Sequence, residues 1–392
     1  MSMLMNTYKT PSVNFVAGEG VVLTDVDGRE YLDFLAGLAV VSLGHAHPAV
    51  AQALSRQAAT LLHVSNLFGS VINEEVATTL DRLVGDGKPA GGKVFFANSG
   101  AEANECAFKL ARRFCGRGRH GVISAFGSFH GRTLATLHAT GQPAKHEPFA
   151  PLPEGFRHVV YGDIGALAAA ATPSTVGAIV LEVIEAEGGV IPAPAGYLRA
   201  VRSLCDERGI LLIVDEVQTG LARTGRWFGF HHEAILPDIV TMAKALGNGV
   251  PVGACWAKSE VADVFTPGDH GTTYGGQPLA MSAARAVLST MIAIDAPRLA
   301  RERGAYLRDA IVKIPGVIEV RGLGLLLGAI LEDGLDSAAL VEEALRRGLV
   351  VNAPAPGVIR FAPPLIVSEE QIDAAAVIIG DVIADERKRG NA

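Results

Sequence analysis

The chain has 392 residues, 49% of them hydrophobic and 19% charged, with a net charge of −7. That length supports two domains, or one large α/β domain with a smaller satellite. The acidic balance argues against nucleic acid as a partner, which would require a basic face. Four cysteines, Cys106, Cys115, Cys205 and Cys255, form no CxxC pair and have no histidine at ligand spacing, so reduced thiols are expected, with no disulfide framework and no metal. The first ten residues lack the apolar core of a signal peptide. No apolar run approaches membrane-spanning length. A soluble, cytoplasmic protein with no membrane partner is the expectation.

Along the chain, the segment 20–34 alternates apolar and polar residues on both sides of Asp27-Gly28, which predicts a β-hairpin. After Pro48, short apolar runs alternate with amphipathic helical stretches. Strands are expected at 93–97, 121–125, 158–161, 176–182, 210–215, 238–242 and 252–257, with helices at 101–114, 164–171 and 196–208. Continuous apolar strands separated by helices imply a mostly parallel sheet covered on both faces. From about Pro278 two long helices (278–294 and 297–313) lead into a strand pair (317–321 and 325–331), a helix, a short strand and a final helix, 368–388. The expected fold class is therefore α/β. Residues 48–277 form the large domain, and a smaller α+β domain is built from both chain ends, 1–47 and 278–392.

Four sites combine chemistry with a strand end or a glycine turn, where open α/β sheets place their ligands. Asn98-Ser-Gly-Ala-Glu-Ala-Asn104 follows a strand and opens a helix, so its free N–H groups and positive dipole end suit a phosphate. Ser99 and Glu102 could equally make a capping box there. Ile213-Val-Asp-Glu-Val-Gln218 ends a hydrophobic strand on two carboxylates. A buried aspartate needs a cationic partner, such as a protonated pyridine nitrogen. A metal ligand or a plain helix cap is the alternative. Lys244, between the apolar run 239–242 and the turn Gly247-Asn-Gly249, is placed for desolvation, which frees an amine for imine chemistry. Gly127-Ser-Phe-His-Gly-Arg-Thr133 offers an aromatic for stacking, a histidine, and an arginine suited to a carboxylate, or else simply a surface turn with a core Phe.

The order of these sites, together with Gly44-His-Ala-His-Pro48, Tyr31-Leu-Asp-Phe34, Asp215-Glu-Val-Gln-Thr-Gly220, Ala243-Lys-Ala-Leu-Gly247, Gly271-Thr-Thr-Tyr-Gly-Gly276 and Ile359-Arg-Phe-Ala-Pro-Pro364, resembles the class III (ornithine-type) aminotransferases. These enzymes carry pyridoxal 5'-phosphate (PLP) on fold type I, a large domain with a mostly parallel, seven-stranded-type sheet. The resemblance runs from about Gly18 to the C-terminus. His63-Val-Ser-Asn-Leu-Phe68 and Thr140-Gly-Gln-Pro-Ala-Lys145 are most similar to the acetylornithine branch, whose substrates are N-acetylornithine and 2-oxoglutarate/glutamate.

The resemblance implies roles. Lys244 is the Schiff-base lysine and proton shuttle. Ser99, Gly100 and Ala101 hold the phosphate, joined by Thr273 of a neighbouring subunit, which makes a homodimer the minimum functional unit. Phe129 stacks on the ring, Asp215 pairs with the pyridine nitrogen, Gln218 bonds the phenolic oxygen, and Glu216 and Val217 complete the cofactor wall. Arg132 binds the substrate α-carboxylate, with Thr272 near the acetylated end. Arg360 receives the α-carboxylate of glutamate, and Glu187 neutralises Arg360 when the amine end of the other substrate is bound.

The chain departs from the family pattern in Glu182-Val-Ile-Glu-Ala-Glu187, where Val183, Glu185 and Ala186 replace proline, glutamine and glycine. Glu185 is expected to add a charge that alters the Glu187 switch. Gln277 replaces the usual asparagine and Asn248 the usual glycine; the segment carrying Gln277 is expected to lie near the partner's phosphate and to alter cofactor affinity. Three readings stay open: an acetylornithine donor, another donor (succinylornithine, ornithine, 4-aminobutyrate or an N-blocked lysine), or a non-catalytic binding protein on the same fold.

Overall fold

The computed structural model describes residues 3–390. Its centre is a seven-stranded sheet: β1 (Gly92–Ala97), β2 (Gly121–Ala125), β3 (Phe156–Val159), β4 (Val176–Glu182), β5 (Leu211–Asp215), β6 (Ile239–Met242) and β7 (Gly253–Lys258). Their spatial order is β1-β7-β6-β5-β4-β2-β3. Pairing is parallel from β6 through β3, while β7 runs antiparallel to both its neighbours. All seven residues of β4 and all five of β5 are buried, as required of central strands covered on both faces. The expected α/β class with a mostly parallel seven-stranded sheet is observed.

The crossover helices are amphipathic and locally terminated. The helix Gly100–Cys115 starts at Ser99, whose Oγ accepts the Glu102 N–H at 3.2 Å, and turns Ala103, Ala107, Leu110 and Ala111 inward. The helix Ile164–Ala170 is capped by Asp163, and Tyr197–Arg208 ends at Gly209 with φ +59, a left-handed position that favours glycine. The strand expected at 158–161 lies two residues earlier, at 156–159. Tyr161 is instead outside the ladder, with its hydroxyl donating to the carbonyls of Glu182 and Val183 at the end of β4.

At the N-terminal end the expected hairpin is present as Val22–Asp25 against Glu30–Asp33, with a further strand, Phe15–Glu19, on its outer edge. Leu349–Val350, from the other end of the chain, pairs in parallel with Leu32–Asp33. A separate antiparallel sheet, Val317–Leu323, Leu326–Leu331 and Val358–Phe361, carries Arg360. Buried Arg223 ties these parts together, donating to the carbonyls of Leu325 and Pro363 and to Ser42 Oγ.

The two other departures from the family pattern are absorbed locally. Asn248 sits at φ +46, a conformation asparagine tolerates better than most residues. Its side chain accepts the Leu43 N–H at 2.7 Å and donates to the Gly44 carbonyl at 3.0 Å, pinning the 43–44 segment. Gln277 caps the helix Pro278–Ala293 by accepting the Leu279 N–H.

Among the described residues no single helix is long and apolar enough to cross a membrane.

Candidate active site

The C-terminal ends of the parallel strands, and the start of antiparallel β7, converge on a cavity of about 390 Å³. Ser99, Phe129, Arg132, Asp215, Gln218 and Lys244 all line it. One row of register partners runs beneath it: Glu182 on β4 faces Asp215 on β5, both lining the cavity, and Asp215 faces Thr241 on β6. Sheet pairing therefore brings together residues separated by 26 to 59 positions in sequence, from 241 − 215 and 241 − 182.

Asp215 is 4% exposed. Its carboxylate accepts three N–H bonds, from Val217 at 3.0 Å, Asn104 Nδ2 at 2.8 Å and His130 Nδ1 at 2.8 Å. Asn104 is fixed in turn by donating to the His130 carbonyl and accepting from Thr241 Oγ1. His130 Nε2 is buried with no partner. Among the described residues no lysine or arginine lies within ion-pair distance of Asp215. A buried carboxylate facing a cavity without a protein cation fits a protonated pyridine nitrogen.

Lys244 follows β6 on a backbone with φ +41, a left-handed conformation that costs roughly 1–3 kcal/mol in a residue with a side chain. Its Nζ has no hydrogen-bond partner among the described residues. Desolvation by the surrounding protein is the largest influence on it and, despite the attraction of Glu187, lowers the ammonium pKa to about 8. Compared with an ordinary lysine near 10.5, that raises the free-amine fraction at neutral pH roughly 300-fold.

The backbone around Ser99, Gly100 and Ala101 borders the cavity, and a Cβ on Gly100 would lie 2.9 Å from the Val217 methyls. The close approach of chain to chain there, at a helix N-terminus, suits a phosphate. Ser99 also performs the capping role. Glu102 departs from the capping box, however, by accepting the Asn98 N–H rather than the Ser99 N–H. The residues present thus fit PLP at the ring, amine and phosphate ends.

Phe129 is fixed by its N–H, which donates to Glu182 Oε2 at 2.9 Å. Burial first, and the Asp215 charge second, push the Glu182 carboxyl well above the usual range, against the Phe129 N–H bond, which favours the carboxylate. Arg132 lies with its guanidinium carbon 5.6 Å from the Phe129 centroid and has no carboxylate within 4 Å.

Arg360 is fully buried. It donates to Asn352 Oδ1 through Nε, and to Glu187 Oε1 at 2.6 Å and Gln218 Oε1 at 3.1 Å through Nη1. Its Nη2 is buried and unpartnered. Burial alone would raise the pKa of Glu187, but the charge and hydrogen bond of Arg360 outweigh it and leave the carboxyl below its ordinary value. Arg360 and Glu187 are therefore an ion pair.

Some expected residues lie elsewhere. Glu216 turns from the cavity, its carboxylate accepting the Phe230 N–H and the Thr219 hydroxyl, and burial raises it to about 7. Thr272 and Thr273 do not line the Lys244 cavity of their own chain. Thr272 Oγ1 accepts from Asn98 Nδ2 at 3.2 Å, and Thr273 lines a separate small cleft. Glu185 adds no charge beside Glu187: it is 2% exposed, packs against Gly127 and Gly188, and is held protonated by burial up to about pH 8. A neutral Glu185 is close in shape and charge to the glutamine of the family pattern. Asn104, His130 and Glu182 acquired no role from their residue types alone. A signal existed for Asn104, which lies one helical turn after Gly100 and so faces the same way as the phosphate-binding turn.

Comparison with known proteins agrees with this geometry. The family model for class-III aminotransferases matches residues 4–383. An acetylornithine aminotransferase of Corynebacterium efficiens is 48% identical over 98% of this chain and 95% of its own length. One from Mycolicibacterium smegmatis is 49% identical over 95% of this chain and 94% of its own. The crystal structure of ornithine aminotransferase from Toxoplasma gondii ME49 superposes with a TM-score of 0.92 at 34% identity, covering 98% of this chain and 94% of that one. N-acetylornithine aminotransferase from Stenotrophomonas maltophilia K279a gives 0.83 at 34% identity, with 96% of each chain covered. The chain belongs to the class-III aminotransferases. It is accordingly a PLP-dependent transferase of fold type I.

Glu185 provides a pH test. Its carboxyl keeps a proton to about pH 8 in the folded chain against 4.5 when unfolded. Stability contributed by the neutral form is complete below the unfolded value and declines as pH rises across that window. Glu185→Gln should therefore raise the melting temperature more at pH 8 than at pH 5. An equal change at both would show that the carboxyl is already ionised.

Proposed function

We infer that the enzyme transfers the terminal amine of N2-acetyl-L-ornithine to 2-oxoglutarate, giving N-acetylglutamate semialdehyde and glutamate, a step of arginine biosynthesis. The observation that carries this reading is the Arg360–Glu187 pair beside Lys244. A guanidinium that a carboxylate can cover or uncover suits a site that takes an amine-bearing carbon without a carboxylate in one half-reaction and with one in the other. Relatives of nearly half identity over almost the full length carry the acetylornithine name. The donor test is glutamate formation from acetylornithine, succinylornithine, ornithine, 4-aminobutyrate and N-blocked lysine at equal concentration. A clear preference for any other amine would sink the specific assignment and leave the class intact.

When bound, PLP supplies an aldehyde for the incoming amine and an electron-withdrawing ring. Asp215, backed by Asn104 and His130, would hold the proton on the ring nitrogen. Phe129 and Val217 both line the cavity that would take the ring, and Gln218 Nε2 would be available for the phenolic oxygen because its amide oxygen is taken by Arg360. Lys244 Nζ holds the cofactor between turnovers. In each turnover it removes the proton from the substrate carbon that carries the amine, a task matched by a pKa near 8.

With Arg360 covered by Glu187, an acetylornithine-type substrate enters amine first and its α-carboxylate reaches Arg132. With glutamate, Glu187 withdraws, the α-carboxylate takes the unpartnered Nη2 of Arg360, and the distal carboxylate goes to Arg132. Arg360→Ala should slow the glutamate half-reaction about 100-fold, as expected for the loss of a charge-assisted bidentate contact, and the acetylornithine half-reaction far less. Single-turnover absorbance changes of the cofactor measure each half separately, and equal losses in both would remove the switch.

The active unit is proposed to be a cytoplasmic homodimer, with Thr273 reaching the partner's phosphate and Thr272 its acetylated substrate end. In support, Leu67, Phe68, Val71 and Tyr274 expose apolar surface, and Phe68 and Thr273 share one cleft. Lys244→Ala and Thr273→Glu should each be inactive alone. Co-refolded, they should regain about a quarter of wild-type activity, since half the dimers are hybrids with one intact site each. No recovery would place Thr273 outside the partner's site.

A further inference from the structure

Glu187 must leave Arg360 when glutamate binds, and a carboxylate that is only partly exposed is better held, once released, where another cation receives it. The elements packed around the switch contain such a cation. The loop Gly127–Phe129 lies directly against the segment that carries Glu187: a Cβ on Gly188 would stand 3.1 Å from the Gly127 carbonyl. On the other side of that loop, Gln142 Nε2 donates to the Ser128 carbonyl, and the Gly127 N–H donates to the Gly141 carbonyl. This clamps the turn Pro143–Lys145 onto Phe129 and puts Lys145 Nζ 5.6 Å from the Phe129 ring centroid, the same distance as the Arg132 guanidinium.

Among the described residues Lys145 has no carboxylate within 4 Å. Its one hydrogen bond goes to Gln142 Oε1, leaving two donors of the ammonium unused. The charged groups facing Glu187 are Arg360, Lys244 and Lys145. Lys244 is committed to the cofactor and Arg360 is the site being vacated. Lys145 itself is lowered first by burial and then by the Arg132 charge, with Glu187 the counteracting influence, so an approaching carboxylate would relieve its environment.

From this arrangement we propose that Lys145 is the second home of the Glu187 carboxylate: Glu187 pairs with Arg360 while the acetylornithine-type substrate is bound and swings to Lys145 when a glutamate-type α-carboxylate occupies Arg360. Lys145 is thereby a specificity-determining residue, one that lets a single cavity alternate between its two substrates. The proposal rests on the switch described above and adds the acceptor that the switch requires. Gly188 and Gly189, directly after Glu187, give the segment the backbone freedom for a change of partner; Gly189 lies at φ +117.

The test compares Lys145→Met and Lys145→Arg with wild type in the PLP-loaded enzyme. Two unreactive ligands separate switch states: glutarate, whose two carboxylates span Arg132 and Arg360, and N-acetylnorvaline, which has the acetylated end and no terminal amine and leaves the Arg360–Glu187 pair closed. Lys145→Met should weaken glutarate binding about tenfold by calorimetry and change N-acetylnorvaline less than about twofold. It should also slow the glutamate half-reaction selectively, and Lys145→Arg should restore both. Equal weakening of the two ligands would overturn the proposal and make Lys145 a clamp for the distal carboxylate instead. No change in either would reduce it to a tether for Gln142. The ligand measurements do not depend on the identity of the amino donor, so a failure of the acetylornithine assignment in the donor test would be recognised separately.

Discussion

A carboxylate buried at the end of a central strand, with no protein cation beside it, sets the requirements for everything around it. Asp215 is held by three N–H donors, from Val217, Asn104 and His130, with no lysine or arginine paired to it among the described residues, an arrangement that fits a positively charged ring. Holding that carboxylate still requires Asn104 from the first crossover helix, His130 from the Phe129 loop, and the backbone of Val217. Thr241 in turn fixes Asn104 from the neighbouring strand. The sheet register is what makes this possible, because Glu182, Asp215 and Thr241 share one row at its edge.

The same row distributes charge unequally, and the inequality is functional. Asp215 is met by three hydrogen-bond donors, whereas Glu182 and Glu185, similarly buried but with few or no donors, have their carboxyl pKa raised by burial. Glu182 holds Phe129 through the Phe129 N–H, and a neutral Glu185 sits beneath Gly127 without disturbing the Glu187–Arg360 pair. Desolvation outweighs the pull of Glu187, Glu182 and Asp215 at Lys244 and brings its pKa to about 8. Strain and desolvation are concentrated at Lys244, and the rest of the fold over-determines it.

Substrate alternation follows from the way the small antiparallel sheet is docked. Arg360 comes from Val358–Phe361 near the end of the chain, yet its guanidinium meets Gln218 beyond β5 and Glu187 beyond β4. The ion pair is buried on the arginine side and more open on the glutamate side, the asymmetry on which the proposed switch rests.

Much of this was legible in the sequence. The strand-end segments 98–104, 127–133, 213–218 and 241–249 each carry their chemistry within a few consecutive residues, and local spacing fixes which side chains leave a strand end together. Alternating apolar runs and helices were enough for the α/β class, and the motif order was enough for the family. Three features required the folded chain. The support of Asp215 by Asn104 and His130 depends on packing a helix and a loop against the strand end. Whether Glu185 carries a charge depends on burial, which residue type does not encode. Asn248 and Gln277 read as departures from a pattern until the structure gave each a hydrogen-bonded role, in a left-handed turn and at a helix cap. The sequence by itself determined which reactive groups are present and on which loops, because those are properties of contiguous residues. The tertiary structure decided which of them are ionised and which partners they hold, because charge and partnership are set by the dielectric surroundings and by neighbours distant along the chain.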